Sequence, residues 1–293
     1  MWNLLQFELF KIFKKPRTYI AFGAIAAIIL LIQLALLTNG REYVKFMLNS
    51  LDETLDIPYD QIRNGYWIGF AILNLLLIHV PILVALVAGD MVAGEANMGT
   101  LRLLITKPIS RTNVIITKFL ACVIYTFILV VWTAFLCLAV SVLLFGTNDL
   151  VISKEFELLQ IEKTDVLWRY IAAFGFGTVG LIVVASLSFM LSVLSDNSIG
   201  PIVATVAIII VFTIMSEMQI PIYDKTVKPY LFTTHMLGWK GFFYIDSDAD
   251  GQTIKGSIQN FSSIMRSLAI LIGYIFLFVS TSIIIFKRKD ILS

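Results

Sequence analysis

Six long apolar runs, nearly free of charge, alternate with polar segments along the chain. They fall at about 18–38, 66–89, 114–145, 168–194, 200–216 and 267–286. An α-helix needs about 20 apolar residues (range 17–25) to cross hydrocarbon. Backbone in lipid must also satisfy its own N–H and C=O groups. The pattern therefore predicts an all-α membrane protein, one transmembrane domain over residues 1–293 with six transmembrane helices. The run at 114–145 is too long for a straight crossing and should tilt or protrude. Ahead of the first run, Trp2, Leu5, Leu9, Ile12 and Phe13 recur at helical spacing, and Lys14, Lys15 and Arg17 follow. Residues 1–16 thus read as an amphipathic helix lying along the bilayer, cut from span one by Pro16. Residues 39–65 are polar and helical in parts, 146–165 form a polar, acid-rich loop, and Asp196-Asn197-Ser198 is a tight turn.

One polar stretch is not loop-like inside. Between Gly94 and Lys118, Met98, Leu101 and Ile105 recur at i, i+3 and i+7, with Leu104 alongside, which is a helical face. Pro108 stops it, because proline cannot donate into the ladder and restricts its predecessor. A short amphipathic helix between two spans exposes apolar residues that imply a protein partner. The alternative is a helix resting on lipid headgroups.

Composition supports the membrane assignment. Apolar residues make up 58% of the chain and charged ones 14%, against roughly 45–50% and about 25% in soluble domains. A greasy soluble core is excluded, because the apolar runs outlast ordinary globular helices. The start of the chain is amphipathic, with no small-residue cleavage site before span one, so no cleavable signal is expected. The net charge of +2 matters less than its distribution. With both termini inside, the inner segments hold Lys11, Lys14, Lys15, Arg17, Arg102, Lys107, Arg111, Lys118 and Lys287–Lys289. The acids there are Glu8, Asp90, Glu95, Asp196 and Asp290. The positive-inside bias places both termini, and residues 94–108, in the cytoplasm.

The string Glu95, Gly99-Thr100-Leu101, Leu104, Pro108-Ile109-Ser110-Arg111 and Lys118, lying between spans two and three, resembles the permease subunits of type-2 (exporter-class) ABC transporters. The resemblance covers nearly the whole chain, from an N-terminal elbow helix to a basic end, Lys287-Arg288-Lys289-Asp290. It implies a bacterial cell-membrane protein working as a homo- or heterodimer of permease chains with two copies of an ABC ATPase subunit. The loop helix would be the coupling helix, docking through Glu95, Met98, Gly99, Thr100, Leu101, Leu104, Ile105, Lys107, Pro108 and Arg111. Glu95 either caps that helix and balances its dipole or pairs with an arginine of the partner. The chain has no Gly-x-x-x-x-Gly-Lys-Ser/Thr phosphate loop. ATP and Mg would therefore bind the partner ATPase, and this chain would be no enzyme and hold no cofactor. Spans this poor in charge favour a hydrophobic or amphipathic cargo. A cation-extruding permease and a non-transporting scaffold remain as alternatives.

Other groups carry weaker signals. Polar residues inside a membrane are functional candidates, and Asn74 and His79 in span two are the candidate pathway residues, with Gln33, Ser186 and Ser188 also noted. A lone histidine is more often satisfied by a neighbouring helix. Arg169 and Glu217 read as solvated outer-end charges. Gly175-Phe176-Gly177-Thr178-Val179-Gly180 mimics a dinucleotide fingerprint, but inside a span it points to close helix packing. Asp246, Asp248 and Asp250 match the first half of a calcium loop, yet its twelfth position is Ser257 instead of Glu. This leaves a weak calcium candidate beside a solvated turn. Cys122 and Cys137 read as buried small hydrophobes. No residue cluster suggests a metal, and nothing suggests nucleic acid. The aromatics of the outer loop at 217–266 should cap the spans or lie in the interface.

Overall fold

A computed structural model describes residues 1–48, 62–101, 109–154, 157–218, 220–246 and 253–289. The described chain is almost entirely helical. Helix α1 (Trp2–Lys14) leads into α2 (Pro16–Leu48), which kinks at Asn39. Next come α3 (Gly65–Leu75), α4 (His79–Ala88) and the short α5 (Ala93–Asn97). Helix α6 (Arg111–Ala134) continues through a π-helical turn, Phe135–Val140, into α7 (Ser141–Phe145). A hairpin follows, β1 (Leu150–Lys154) and β2 (Glu157–Ile161). Then come α8 (Lys163–Leu194), α9 (Ile199–Glu217), the short α10 (Pro221–Thr226) and α11 (Phe232–Met236). A 3₁₀ turn, Leu237–Phe243, precedes the last helix, α12 (Phe261–Arg288).

Among the described residues, five helices are long and apolar enough to cross a membrane: Pro16–Gly40 of α2, Arg111–Phe145, α8, α9 and α12. A sixth crossing exists only if α3 and α4, bent by 54° at their junction, count as one broken span. Span two is thus not the single helix its sequence suggested. Pro81 explains the break. It has no N–H to give Leu77, four residues back, and its ring crowds that carbonyl. The chain turns at 76–78 instead, and the His79 ring nitrogen Nδ1 lies 3.0 Å from Leu75 O, as a donor to the carbonyl at the break.

Helix α8 is the axis of the bundle. In its most apolar window 61% of residues are buried, against 22% for α9 and 11% for α12, whose outer faces are left for lipid. Ser188 Oγ of α8 donates to Ala85 O of α4 at 2.9 Å, which fixes these helices at close range. The π turn in span three misaligns the backbone ladder, and Gln33 Nε2 fills the gap by donating to Leu136 O and Ser141 Oγ, both at 2.9 Å.

The polar loop expected at 146–165 is instead an antiparallel hairpin, registered Leu150 to Ile161 through Lys154 to Glu157. Leu150, Ile152, Leu159 and Ile161 alternate on its buried face. That period-2 pattern was masked by the acidic residues around it. Helix α3 begins beside this hairpin. Asn64 caps it by accepting from the N–H groups of Tyr66 and Trp67. Gly65 is required there, since a Cβ would meet Val142 backbone at 2.5 Å.

Residues 228–246 fold back over the bundle. Met236 packs on Gly180 and Gly238 on Phe176, well inside the length of α8. Trp239, Phe242 and Phe243 are buried, and Phe243 meets Tyr170 edge-on at 4.9 Å between ring centroids. Trp239, Phe242 and Phe243 therefore form a cap over the spans, while Tyr230 is 73% exposed.

Candidate functional site

The residues around Gly94–Lys118 sit at one end of the bundle. Helix α5 is held there by Ser192 Oγ of α8, which accepts from Val92 N at 3.1 Å and Ala93 N at 2.9 Å. Two otherwise unpaired donors of a helix start are satisfied this way. The helix ends at Met98, because Gly99 takes φ +69°, a conformation that favours glycine. Met98 is 59% exposed, while Leu101 is 2% exposed. The two do not share one continuous helical face, since Gly99 turns the chain between them. Leu101 faces the interior, and Thr100 Oγ1 folds back to Glu95 O at 3.3 Å. Residues 102–108, which include Leu104, Ile105, Lys107 and Pro108, lie outside the described residues.

Glu95 is 5% exposed and points into the protein. Its Oε1 pairs with Lys11 Nζ and Lys118 Nζ, each at 2.7 Å. Lys118, fully buried on α6, also reaches Glu8 Oε2 at 2.8 Å, and Lys11 reaches Glu8 Oε1 at 2.9 Å. Two carboxylates and two ammoniums thus close a neutral ring joining α1, α5 and α6. Burial works against the Glu95 anion, but Lys118 and Lys11 hold its pKa below the ordinary carboxylate value. Burial also opposes the Lys11 charge, and Glu95 and Glu8 outweigh it, so the Lys11 pKa is raised. Next to this ring, buried Asp90 pairs with Lys15 and Arg17, both at 2.7 Å.

The same end is tied to the last helix. Ser110 Oγ accepts from Asn113 N and caps α6. Arg111 Nη1 donates to Lys289 O at 2.8 Å and Lys287 O at 3.2 Å. A cation there meets the unpaired carbonyls and negative dipole end of α12. Lys289 continues the belt to Val193 O at 3.1 Å and Asp196 Oδ1 at 2.7 Å, at the end of α8.

The other candidates are dispersed. Asn74 Nδ2 bonds Phe70 O of its own helix at 2.9 Å, and His79 is exposed at the break. Asp246 is exposed, with its N–H on Ser257 Oγ at 3.0 Å. Asp248 and Asp250 lie outside the described residues. Among the described residues no group of three His, Cys, Asp or Glu could hold a metal.

Arg169 corrects the expectation of a solvated charge. It is 0% exposed, and donates to Asp165 Oδ2 at 2.6 Å, Phe242 O at 2.7 Å and Ser257 O at 2.8 Å. It binds the aromatic cap to α8. Sequence reasoning also missed the pairing of Glu8 with Lys118. The signal was present, since Glu8 lies on the apolar stripe of α1 and Lys118 about one turn inside an apolar run. Charges in such places need partners.

These features define a membrane-embedded, multi-pass helical protein with an ion-paired end. The chain belongs to DUF2705, a family of proteins of unknown function, whose model matches residues 20–292. No curated protein matches it.

Proposed function

We propose that this protein is the membrane-spanning permease subunit of an ATP-driven ABC exporter. In this reading two permease chains, alike or paired, work with two copies of an ATPase subunit that binds ATP and Mg. Both termini and the Gly94–Lys118 segment are cytoplasmic, α1 is the elbow helix, and residues 94–108 carry the coupling helix. The cargo is hydrophobic or amphipathic, in keeping with spans so poor in charge.

The observation that carries the reading is the string from Glu95 to Lys118, together with the position of its ends. Glu95 and Lys118 meet each other in the ring with α1, and Arg111 holds α12. A push on this segment would therefore load α1, α6, α8 and α12 together, with spans two and three on either side. The bistable element would be the bundle, biased by the ATPase through differential binding. The chain supplies the lever and the partner supplies the chemistry.

The test is co-purification from the native membrane with a phosphate-loop ATPase, followed by substrate-stimulated ATP hydrolysis. Met98→Asp should break the complex, because Met98 is an exposed apolar side chain of the docking set. Recovery of the protein without any such ATPase would sink the proposal.

A further inference from the structure

A groove at mid-depth in the bundle has no part in the proposal above. It lies between the break of span two (Leu77, Pro81), Val130 of α6, Gly177 and Gly180 of α8, and Trp239 of the cap. About 640 Å³ of empty space lies within it, part of it open to the outside. Leu77 and Gly177 are half-buried at its open side. These residues sit near the middle of their spans, so the groove faces the hydrocarbon of the bilayer and not its headgroups.

The glycines of α8 make the room. A Cβ at Gly177 would meet nothing within 4 Å, and neither would one at Gly175, two residues earlier. The expectation of close helix packing therefore fails at both positions and applies only at Gly180, where Met236 lies at 3.1 Å. At Gly177 the missing side chain leaves a space that no neighbour occupies.

What fills it follows from its lining. Thr133 brings the groove a hydroxyl, and that hydroxyl is spent on Leu129 O at 2.8 Å. An extended peptide would strand its backbone N–H and C=O groups there. An ordered water needs two to four polar partners, and this largely apolar lining is poor in them. Left empty, the walls would forfeit their dispersion contacts. At mid-depth lipid tail is the apolar matter present at the open side whatever else the protein binds. We propose that the groove holds one acyl chain of a bilayer phospholipid, seated against Gly177. This holds whether or not the protein exports anything.

The test uses the full chain in nanodiscs containing a phospholipid with a photoreactive diazirine near the end of one acyl chain. After irradiation, labelling of the peptides carrying Leu73–Pro81 and Ala173–Leu181 is compared with labelling of α12, whose Phe276 and Leu277 are exposed on the surface of the bundle. Wild type and Gly175→Leu should give the same ratio, because Gly175 does not line the groove. Gly177→Leu should lower that ratio several-fold while α12 labels as before. Gly177→Met, with a more pliable side chain, gives the same readout if the leucine variant folds poorly. An unchanged ratio in the Gly177 variants, or an equal fall in Gly175→Leu, would overturn the assignment.

Discussion

The two ends of the bundle bury charge in different ways. At the Arg169 end, the ion pair lies within one helical turn of α8, Asp165 to Arg169, and the remaining donors go to backbone carbonyls of the cap. At the Lys118 end, the partners are side chains from three separate elements, and the ring closes only when α1, α5 and α6 meet. The first arrangement is a rivet, because its backbone partners are fixed. The second is a junction, because each tie can exchange when one element shifts. Buried pairs do little for net stability, yet losing one partner is costly. The difference therefore lies in what each end permits.

The largest effect should come from breaking the rivet. Arg169→Met leaves Asp165 without its cation, held only by the N–H groups of Trp168 and Gly256, and unpairs the carbonyls of Phe242 and Ser257, at a cost of about 3–5 kcal/mol. Thermal unfolding in detergent reads the loss, and limited proteolysis should show the cap released first. Lys118→Met should cost less, because Lys11 stays beside both Glu8 and Glu95. A double-mutant cycle with Glu8→Gln should give a coupling of about 0.5–3 kcal/mol. A coupling near zero would mean that the ring is not a unit. Asp90→Asn should be smallest, about 0–1 kcal/mol, since its partners Lys15 and Arg17 remain partly in water.

Acidity probes the junction separately. Because the folded Glu95 pKa is lowered, its contribution is complete above the ordinary carboxylate value and is lost as pH falls through the lower folded value. Lys11 works in the opposite sense: its raised pKa keeps its contribution complete below the ordinary lysine value, until pH rises through the folded one. Stability against pH should therefore fall on the acid side in wild type, and Glu95→Gln should flatten that limb. Equal acid limbs in the two proteins would remove Glu95 from the junction.

Much of this was legible in the chain. Hydropathy located every long helix, because lipid leaves the backbone few choices. It could not show that span two breaks, since Pro81 is tolerated in straight and broken helices alike until its neighbours are known. Helical periodicity placed Met98 and Leu101 together, and the left-handed turn at Gly99 separated them. Arg169 was misread because depth along a span was taken for exposure, when the cap folds back over it. The ring of Glu8, Lys11, Glu95 and Lys118 joins residues up to 110 positions apart, and local pattern does not encode such pairing.

The most direct test of the docking assignment is a pull-down of the intact protein from its native membrane, wild type beside Met98→Asp. Wild type should bring down a phosphate-loop ATPase in equal numbers with itself, and Met98→Asp should lose it while its thermal stability holds. Equal recovery of the ATPase with both proteins would contradict a docking face at Met98, and its absence from both would contradict the exporter reading.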